Sequence, residues 1–471
     1  MRWFEIAVSF AAALLVGALT RGALRTYLLL ALSVFAVYWL QPVVPLRSFD
    51  FWFPSITLVL VVLTWFITSR SDAWGAPRNI TALLIIPACA ALVALSRYFP
   101  TTSFLTTTPP RFIVFLAFLA AAGVAVLFAA WLSRRWTWIL SAAIVLLIIV
   151  LVILKTPALS LQTSVLVRML ANRPVENALA TDLRWLGFSY IAFRLIHVLR
   201  DKQTGRLPEL SLAEFGTYVV FFPSLAAGPI DRAERFALDL RRDFTLSQAE
   251  TLWAGQRFFI GLFKKFVIAD TLALIALNDA LATQVRGTGW MWIVVYAYAF
   301  QIYFDFSGYT DMAIGMAGMA GVRLPENFAA PYLRSNLTQF WSSWHMTLTQ
   351  WIRSYFFNPF NRWIRGFRSL PVWSMILAGQ VATMLIIGLW HGVTLNFIFW
   401  GLWHGLGLFL QNRWSDYARI RFAGIHPKSK LLLQIGGVLL TFHFVALGWV
   451  FFALSSPSHS WLVFGKLFNL L

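Results

Sequence analysis

Apolar runs of roughly 20 residues, each closed by a short basic or proline-bearing break, fill the first third of the sequence and limit what it can fold into. They cover Trp3–Leu19, Thr26–Leu40, Phe51–Thr68, Thr81–Leu95, Phe112–Leu132 and Trp136–Leu154, of which the second and fourth need their flanks to complete a crossing. The breaks are Arg21/Arg25, Arg47, Arg70/Arg78, Pro109-Pro110-Arg111 and Arg134/Arg135. In lipid every backbone polar group has to be paired inside the structure, so such runs form helices. The chain therefore reads as an all-α polytopic membrane protein. Charge agrees: 12% of the 471 residues are charged, against about 25% in soluble proteins. Met1-Arg2 followed by an apolar run to Leu19 has the outline of a signal peptide. No small-residue cleavage site follows and more spans come at once, so it reads as the first, uncleaved span.

A net charge of +19 would suggest nucleic-acid binding in a soluble protein. Here the arginines sit between apolar runs instead of forming one stripe, so no nucleic-acid partner is expected. The excess is assigned to cytoplasmic loops and to anionic lipid headgroups. A second use of the same charge, guiding an acidic carrier protein or polymer, stays open. The single cysteine, Cys89, lies in the apolar run IIPACAALVAL, which allows no disulfide within the chain and suits no thiolate nucleophile.

Motif content divides the chain into 1–180, a scaffold of spans with few interior polar residues; 181–410, a core; and 411–471, closing helices that include the run Leu431–Leu454 with His443. Within the core, about 25 residues separate the cluster Arg200/Lys202/Arg206 from Arg232/Arg235/Arg241/Arg242. Two crossings of ~20 residues each do not fit there. Pro223 and the Gly228-Pro229 pair break its helix, so a re-entrant element is expected. The run Pro371–Leu410 is about 40 residues long and is flanked by Arg353, Arg362, Arg365 and Arg368 before it and by Arg413, Arg419, Arg421, Lys428 and Lys430 after it. As helix it measures roughly 60 Å, twice the ~30 Å hydrocarbon core, which predicts a hairpin between two cytoplasmic clusters. His391 then sits near the hairpin tip while His345 lies close to a basic cluster, so the two imidazoles approach the membrane from opposite sides.

From Tyr296 to Leu410, ionisable and amide side chains are threaded through apolar and aromatic sequence, and in a membrane such groups mark functional candidates. Gln301, Asp305 and Tyr309 are four apart and share a helix face, available either for lining a polar channel or for a silent packing network. The stretch NLTQFWSSWHMTLTQWIRSYFF reads as one helix with Trp341, His345, Leu348 and Ile352 on a stripe. A buried histidine among tryptophans can equally be a satisfied core group. Trp390-His391-Gly392 is followed by Thr394 and Asn396, and the tripeptide recurs at Trp403-His404-Gly405. GxSxG, HExxH, GxxxxGK[ST] and GxGxxG patterns are missing, and neither His345 nor His391 has an aspartate five residues on. A histidine general base acting on an incoming hydroxyl remains. A transporter or flippase using Asp305 and the histidines as a proton relay is the alternative of another class.

Six segments, GFSYIAFRLIHVLRD, FFPSLAAGPI, GLFKKFVIADTLA, QIYFDFSGYTDMAIGMAGMAGVRLPENFAAPY, FWSSWHMTLTQWIRSYFFNPF and GLWHGVTLNFIFWGLWHG, occur in this order. Together they resemble the membrane-bound O-acyltransferase (MBOAT) family, in the branch of D-alanyl-teichoic acid transferases, alginate acetyltransferases and peptidoglycan O-acetyltransferases. The resemblance implies a ring of about 10–12 transmembrane helices, with re-entrant and short helices, around a central tunnel. It implies that His391 is the catalytic histidine and His345 its second motif histidine, with Gln301, Asp305, Tyr309, Asn396, Trp341, Trp344 and Trp390 along the tunnel and no metal. No bound cofactor is expected. The acyl group, acetyl or D-alanyl-like, comes from acyl-CoA, an acyl-carrier protein or another activated donor in the cytoplasm. It goes to an extracytoplasmic glycopolymer, directly or through a partner transferase, across a plasma or inner membrane whose lipids surround the protein. Acylation of a lipid or protein hydroxyl is the alternative within the class. After the His345 segment, where the branch carries a glycine-rich basic loop, this chain has NPFNRWIRGFRSL.

Overall fold

The computed structural model describes residues 2–99, 109–367, 369–421 and 427–470; Arg368 and the Lys428 side chain lie outside them. Every long element among the described residues is a helix. Seven are long and apolar enough to cross a membrane: Gly22–Trp39, Phe49–Thr68, Pro77–Tyr98, Phe112–Arg135, Trp138–Lys155, Val372–His391 and Lys430–Ala453. Trp3–Leu19 is apolar but shorter. The resemblance implies about 10–12, more than the seven that meet this length and hydropathy among the described residues. Burial supplies an independent argument for lipid: only 11% of the Phe112–Arg135 span and 6% of Trp138–Lys155 are buried inside the protein. Helices apolar on every side and this exposed need a hydrocarbon solvent. The protein is a multi-pass, all-α membrane protein.

By packing, the chain forms two compact units, residues 1–259 with 311–325, and residues 260–310 with 326–471. This division runs across the segments 1–180, 181–410 and 411–471, which follow motif content, a different criterion.

In the first unit, the Phe188–Gln203 helix is fastened by the buried Arg194, whose guanidinium donates to Val219 O (2.8 Å), Ser224 O (2.9 Å) and Ser224 Oγ (2.8 Å). Those acceptors belong to the segment expected to be re-entrant. It holds a nine-residue helix, Leu212–Val220, then a 3-10 turn Phe222–Ser224 carrying Pro223. Nine residues give about 14 Å of helix, less than half a crossing. Ser211 and Glu214 form a capping box at its start, and Arg241 closes on Glu214 at 2.7 Å. Further back, the buried Asp182 receives Arg168 Nε at 2.7 Å and Ser164 Oγ at 2.6 Å.

In the second unit, Val372–His391 and Leu395–Arg421 pair as the expected hairpin. Their axes approach closely because the seam is glycine: a Cβ on Gly388 would stand 2.4 Å from Phe397 O, and one on Gly405 2.7 Å from Val381 Cα. The Pro457–Leu467 helix is anchored by Lys466, whose Nζ donates to the carbonyls of Ala282, Thr283 and Val285 at 2.8, 3.0 and 2.7 Å. These are the orphan carbonyls at the end of the short helix Asp279–Gln284.

Candidate active site

The stretch around His345 is not the single helix its pattern predicts. It forms two short helices, Leu337–Trp341 and Met346–Ile352, followed by a π turn over Arg353–Phe357. His345 stands at the joint with φ +43°, in the left-handed region. The loop 327–329 imposes the break. In a continuous helix Met346 and Thr347 would donate four residues back, to Ser342 and Ser343. Instead Met346 N donates to Asn327 O at 3.0 Å and Thr347 N to Asn327 Oδ1 at 3.2 Å, while Ser343 O accepts from Ala329 N at 3.0 Å. The stripe through Trp341, His345 and Leu348 is therefore replaced by a bend that turns on the histidine.

Asn327 also fixes the proton on that histidine. Its Oδ1 lies 3.0 Å from His345 Nδ1 and accepts Thr347 Oγ1 at 2.9 Å. A backbone N–H only donates, so the Asn327 atom facing Thr347 N is an acceptor and His345 Nδ1 is the donor. The lone pair of the neutral ring is then on Nε2, which is buried and meets no protein hydrogen-bond partner. The imidazole and the Phe306 ring meet edge to face, with centroids 4.7 Å apart at 86°.

His391 is the last residue of its helix, and the extended backbone of Gly392 takes the chain out of it. A Cβ on Gly392 would sit 2.8 Å from the Phe397 ring, so this exit has no room for a side chain. The imidazole packs against Phe452 (centroids 4.7 Å apart), Phe397 and Trp400 (both 6.0 Å). Trp390 lies between the histidines, 4.5 Å from the His391 ring and 6.1 Å from the His345 ring.

His345 and His391 line one cavity, with Trp341, Trp344, Trp400 and Phe306 among its walls, all from the second unit. Room for water centres inside it is about 50 Å³, enough for roughly three or four waters. Besides His345 Nε2, the indole Nε1 atoms of Trp341 and Trp400 are buried without a protein partner. An unmade buried hydrogen bond costs about 1–3 kcal/mol. All three belong to residues that wall the cavity, though the atoms themselves are sealed from its open space.

Of the residues singled out from sequence, the structure gathers His345, His391, Trp341 and Trp344 on this cavity, with Trp390 against both imidazoles. Gln301, Asp305 and Tyr309 are not among its lining residues; from the same helix, Thr288–Met319, Ile302 and Phe306 are. Asp305 instead pairs with Lys265 Nζ at 2.6 Å, which also holds Asp270 at 2.7 Å. Asn396 is buried and ties the hairpin to its neighbours, donating to Leu454 O at 2.7 Å and accepting from Ser460 Oγ at 3.4 Å. Sequence reasoning passed over Asn327, although it stands in the quoted segment LPENFAAPY, and over Phe306, Trp400, Trp449 and Phe452. His404 of the second Trp-His-Gly lies behind the wall, edge-on to Trp341 at 5.1 Å, with neither ring nitrogen hydrogen-bonded. Among the described residues, no group of three or more His, Cys, Asp or Glu side chains is placed to hold a metal ion.

The chain is 36% identical over 289 residues to "Probable alginate O-acetylase AlgI" of Pseudomonas syringae pv. tomato, covering 60% of this chain and 52% of that protein. It is 30% identical over 286 residues to "Teichoic acid D-alanyltransferase" of Bacillus subtilis, covering 59% and 71%. To "Peptidoglycan O-acetyltransferase" of Helicobacter pylori it is 36% identical over 243 residues, covering 51% and 43%. The chain thus spans about half the length of the first curated relatives it matches, 52% and 51%. The model of "MBOAT, membrane-bound O-acyltransferase family" matches residues 23–456. By that match, which takes in the transmembrane helices and both cavity histidines, the chain belongs to the membrane-bound O-acyltransferase family.

Proposed function

We propose that the protein is an O-acyltransferase of the plasma or inner membrane. It moves a short acyl group, acetyl or D-alanyl-like, from a cytoplasmic activated donor to a hydroxyl of an extracytoplasmic polysaccharide or teichoic-acid-type polymer. Family membership and the alginate, teichoic acid and peptidoglycan in its relatives' names support the reaction class. The observation that carries the reading is that two imidazoles line one small cavity and that one of them, His345, has its tautomer set by Asn327. His391 takes the proton from the acceptor hydroxyl, and the new alkoxide attacks the donor carbonyl, for which a thioester is the natural form. The C–O bond forms, the C–S bond breaks, and the departing thiolate needs a proton. It receives the proton that His391 took from the hydroxyl, passed on through His345 Nε2, whose lone pair accepts it and then releases it, so both rings end neutral. Once substrate opens the wall, the Trp341 and Trp400 indole N–H groups are candidates to meet the oxyanion that forms between these steps.

A second assignment, with His345 as the base, is favoured by the same bare Nε2. Leaving-group chemistry separates the two. In proteoliposomes with labelled donor, loss of either imidazole lowers transfer by roughly 10²–10⁴-fold. A donor whose leaving thiol is strongly acidic needs no protonation, so it should rescue His345→Ala and leave His391→Ala inactive. Rescue of His391→Ala instead exchanges the roles. Transfer retained by His391→Ala and His345→Ala together overturns the proposal.

A further inference from the structure

A buried cation in the first unit points to a site apart from the transfer chemistry. Arg25, near the start of the Gly22–Trp39 helix, is 0% exposed. One terminal nitrogen donates to the carbonyls of Asp239, Leu240 and Arg242, at 2.9, 3.1 and 3.1 Å. Its Nε and Nη1 meet no acceptor, and no carboxylate pairs with the group. The nearby carboxylates act on it only through space: Asp239 is taken by Arg235 (3.2 Å) and by Arg323 N (2.8 Å), and Asp243 does not pair with it. A buried guanidinium without a directly paired counter-charge is expensive to keep.

What lies beside Arg25 is a cavity wall. Its guanidinium sits over the Phe244 ring, 5.1 Å from the centroid. Its Nη1 presses on Gly321, where an added Cβ would stand 2.3 Å away and where φ is +82°. Only glycine meets both conditions. Phe244 and Gly321 line a cavity of about 510 Å³ shared with Arg242, Arg323, Glu250 and Trp253. Glu250 is its one carboxylate. Oε1 of that residue stands 4.0 Å from Arg242 and 3.9 Å from Arg323, beyond hydrogen-bond range, while Oε2 accepts from Ser247 N and Oγ. Two guanidiniums thus approach one carboxylate that is already engaged, and Arg25 stands behind the Phe244 and Gly321 wall. Trp253 is 45% exposed, an aromatic flank of the kind found at membrane–water interfaces.

We propose that this cavity binds a phosphate group, held in the forks of Arg242 and Arg323 and adding to the negative charge that faces Arg25, which no carboxylate pairs with directly. Guanidinium forks match phosphate oxygens in pairs. A phosphate, mono- or diester, offers tetrahedrally set oxygens to two forks at once, which a planar carboxylate does less well. The phosphate comes either from an anionic lipid headgroup or from a soluble phosphate compound, and the cavity has volume for more than the phosphate alone.

The test follows the thermal midpoint of the purified full-length protein in nonionic detergent. It is titrated in parallel with short-chain phosphatidylglycerol, phosphatidylcholine of equal chain length, and inorganic pyrophosphate. A saturable rise with phosphatidylglycerol but not phosphatidylcholine identifies a lipid headgroup, and one with pyrophosphate identifies a soluble phosphate. In either case the Arg242→Gln/Arg323→Gln double variant, altered only at solvent-facing side chains, should shift half-saturation upward by about tenfold or more. The midpoint of this variant without ligand reports whether it folds. If neither ligand gives a saturable rise, or if wild type and a folded double variant titrate alike, no phosphate site exists there.

Discussion

Asn327→Leu is the substitution that probes the His345 geometry most directly. Leucine keeps the branched, four-heavy-atom shape of asparagine and leaves the backbone carbonyl that receives Met346 N at 3.0 Å. It removes the oxygen that accepts from His345 Nδ1 (3.0 Å), Thr347 N (3.2 Å) and Thr347 Oγ1 (2.9 Å). The hydroxyl can rotate to another acceptor, but the ring N–H and the amide N–H cannot. Two stranded buried donors cost about 2–6 kcal/mol at 1–3 kcal/mol each. His345 is moreover held in a left-handed conformation that costs roughly 1–2 kcal/mol for a residue with a Cβ. Without its clamp the joint relaxes and the imidazole loses both its tautomer and its aim. Acyl transfer should fall by about 10²-fold or more, the scale of one misplaced acid–base group. Asn327→Asp supplies the control: it keeps an acceptor toward all three donors, so it should stay within about tenfold of wild type. Proteoliposome transfer with labelled donor measures rates, and detergent melting curves measure folding. Wild-type rates in a folded Asn327→Leu protein would refute the reasoning, as would an Asn327→Asp protein as inactive as Asn327→Leu.

Three further outcomes follow from neighbouring features. Trp400→Phe removes an indole N–H that has no protein acceptor, so melting should change little while transfer drops about 10²-fold if that N–H meets the oxyanion; unchanged transfer removes Trp400 from the mechanism. Gly388→Ala sets a methyl 2.4 Å from Phe397 O, so the hairpin has to part and monodisperse protein on size-exclusion chromatography should fall sharply, whereas Gly123→Ala, with open space around it, should not change it. Burial pushes the Asp182 carboxyl up, but hydrogen bonds from Arg168 and Ser164 outweigh it and hold the group below its usual range. Its stabilisation is therefore complete above the ordinary aspartate value of about 4 and fades as pH falls through the lower folded value. Asp182→Asn should flatten the melting profile in that acidic window, and a variant profile parallel to wild type there contradicts the pairing.

The fold was legible wherever a residue's preference is decided by its own neighbourhood. Spans such as Phe112–Arg135 announce themselves because nothing but hydrocarbon suits that many consecutive apolar residues. The hairpin could be read because its length is twice a membrane's and basic residues close both ends. His391 and His345 stood out for a related reason, as ionisable groups in sequence that lipid would penalise. Polarity served less well in choosing their companions. Asp305 and Phe306 are adjacent, and on a helix adjacent side chains point about 100° apart. The apolar one faces the cavity, while the carboxylate finds Lys265. Asn396 likewise spends its amide on Leu454 and Ser460.

The break at His345 shows what no local reading could reach. Nothing between Asn336 and Phe357 forbids a helix, since the stretch contains neither glycine nor proline. What interrupts it is a pair of backbone hydrogen bonds to a loop 14 to 19 positions earlier, Ala329 to Ser343 and Met346 to Asn327. The loop takes over donors and acceptors that the helix would have used itself. Each exchange is close to neutral in hydrogen bonds, so the left-handed turn at His345 is left as a net cost. That cost is tolerable only because Asn327 Oδ1 adds three further bonds at the same joint, two from Thr347 and one from the imidazole. The bend and the tautomer are consequently a single device: the residue that makes the strain affordable also directs the lone pair. A histidine placed by ordinary helix geometry would keep its backbone unstrained and its Nδ1 proton undetermined, which is why Asn327 and not the tryptophan stripe is the place to perturb.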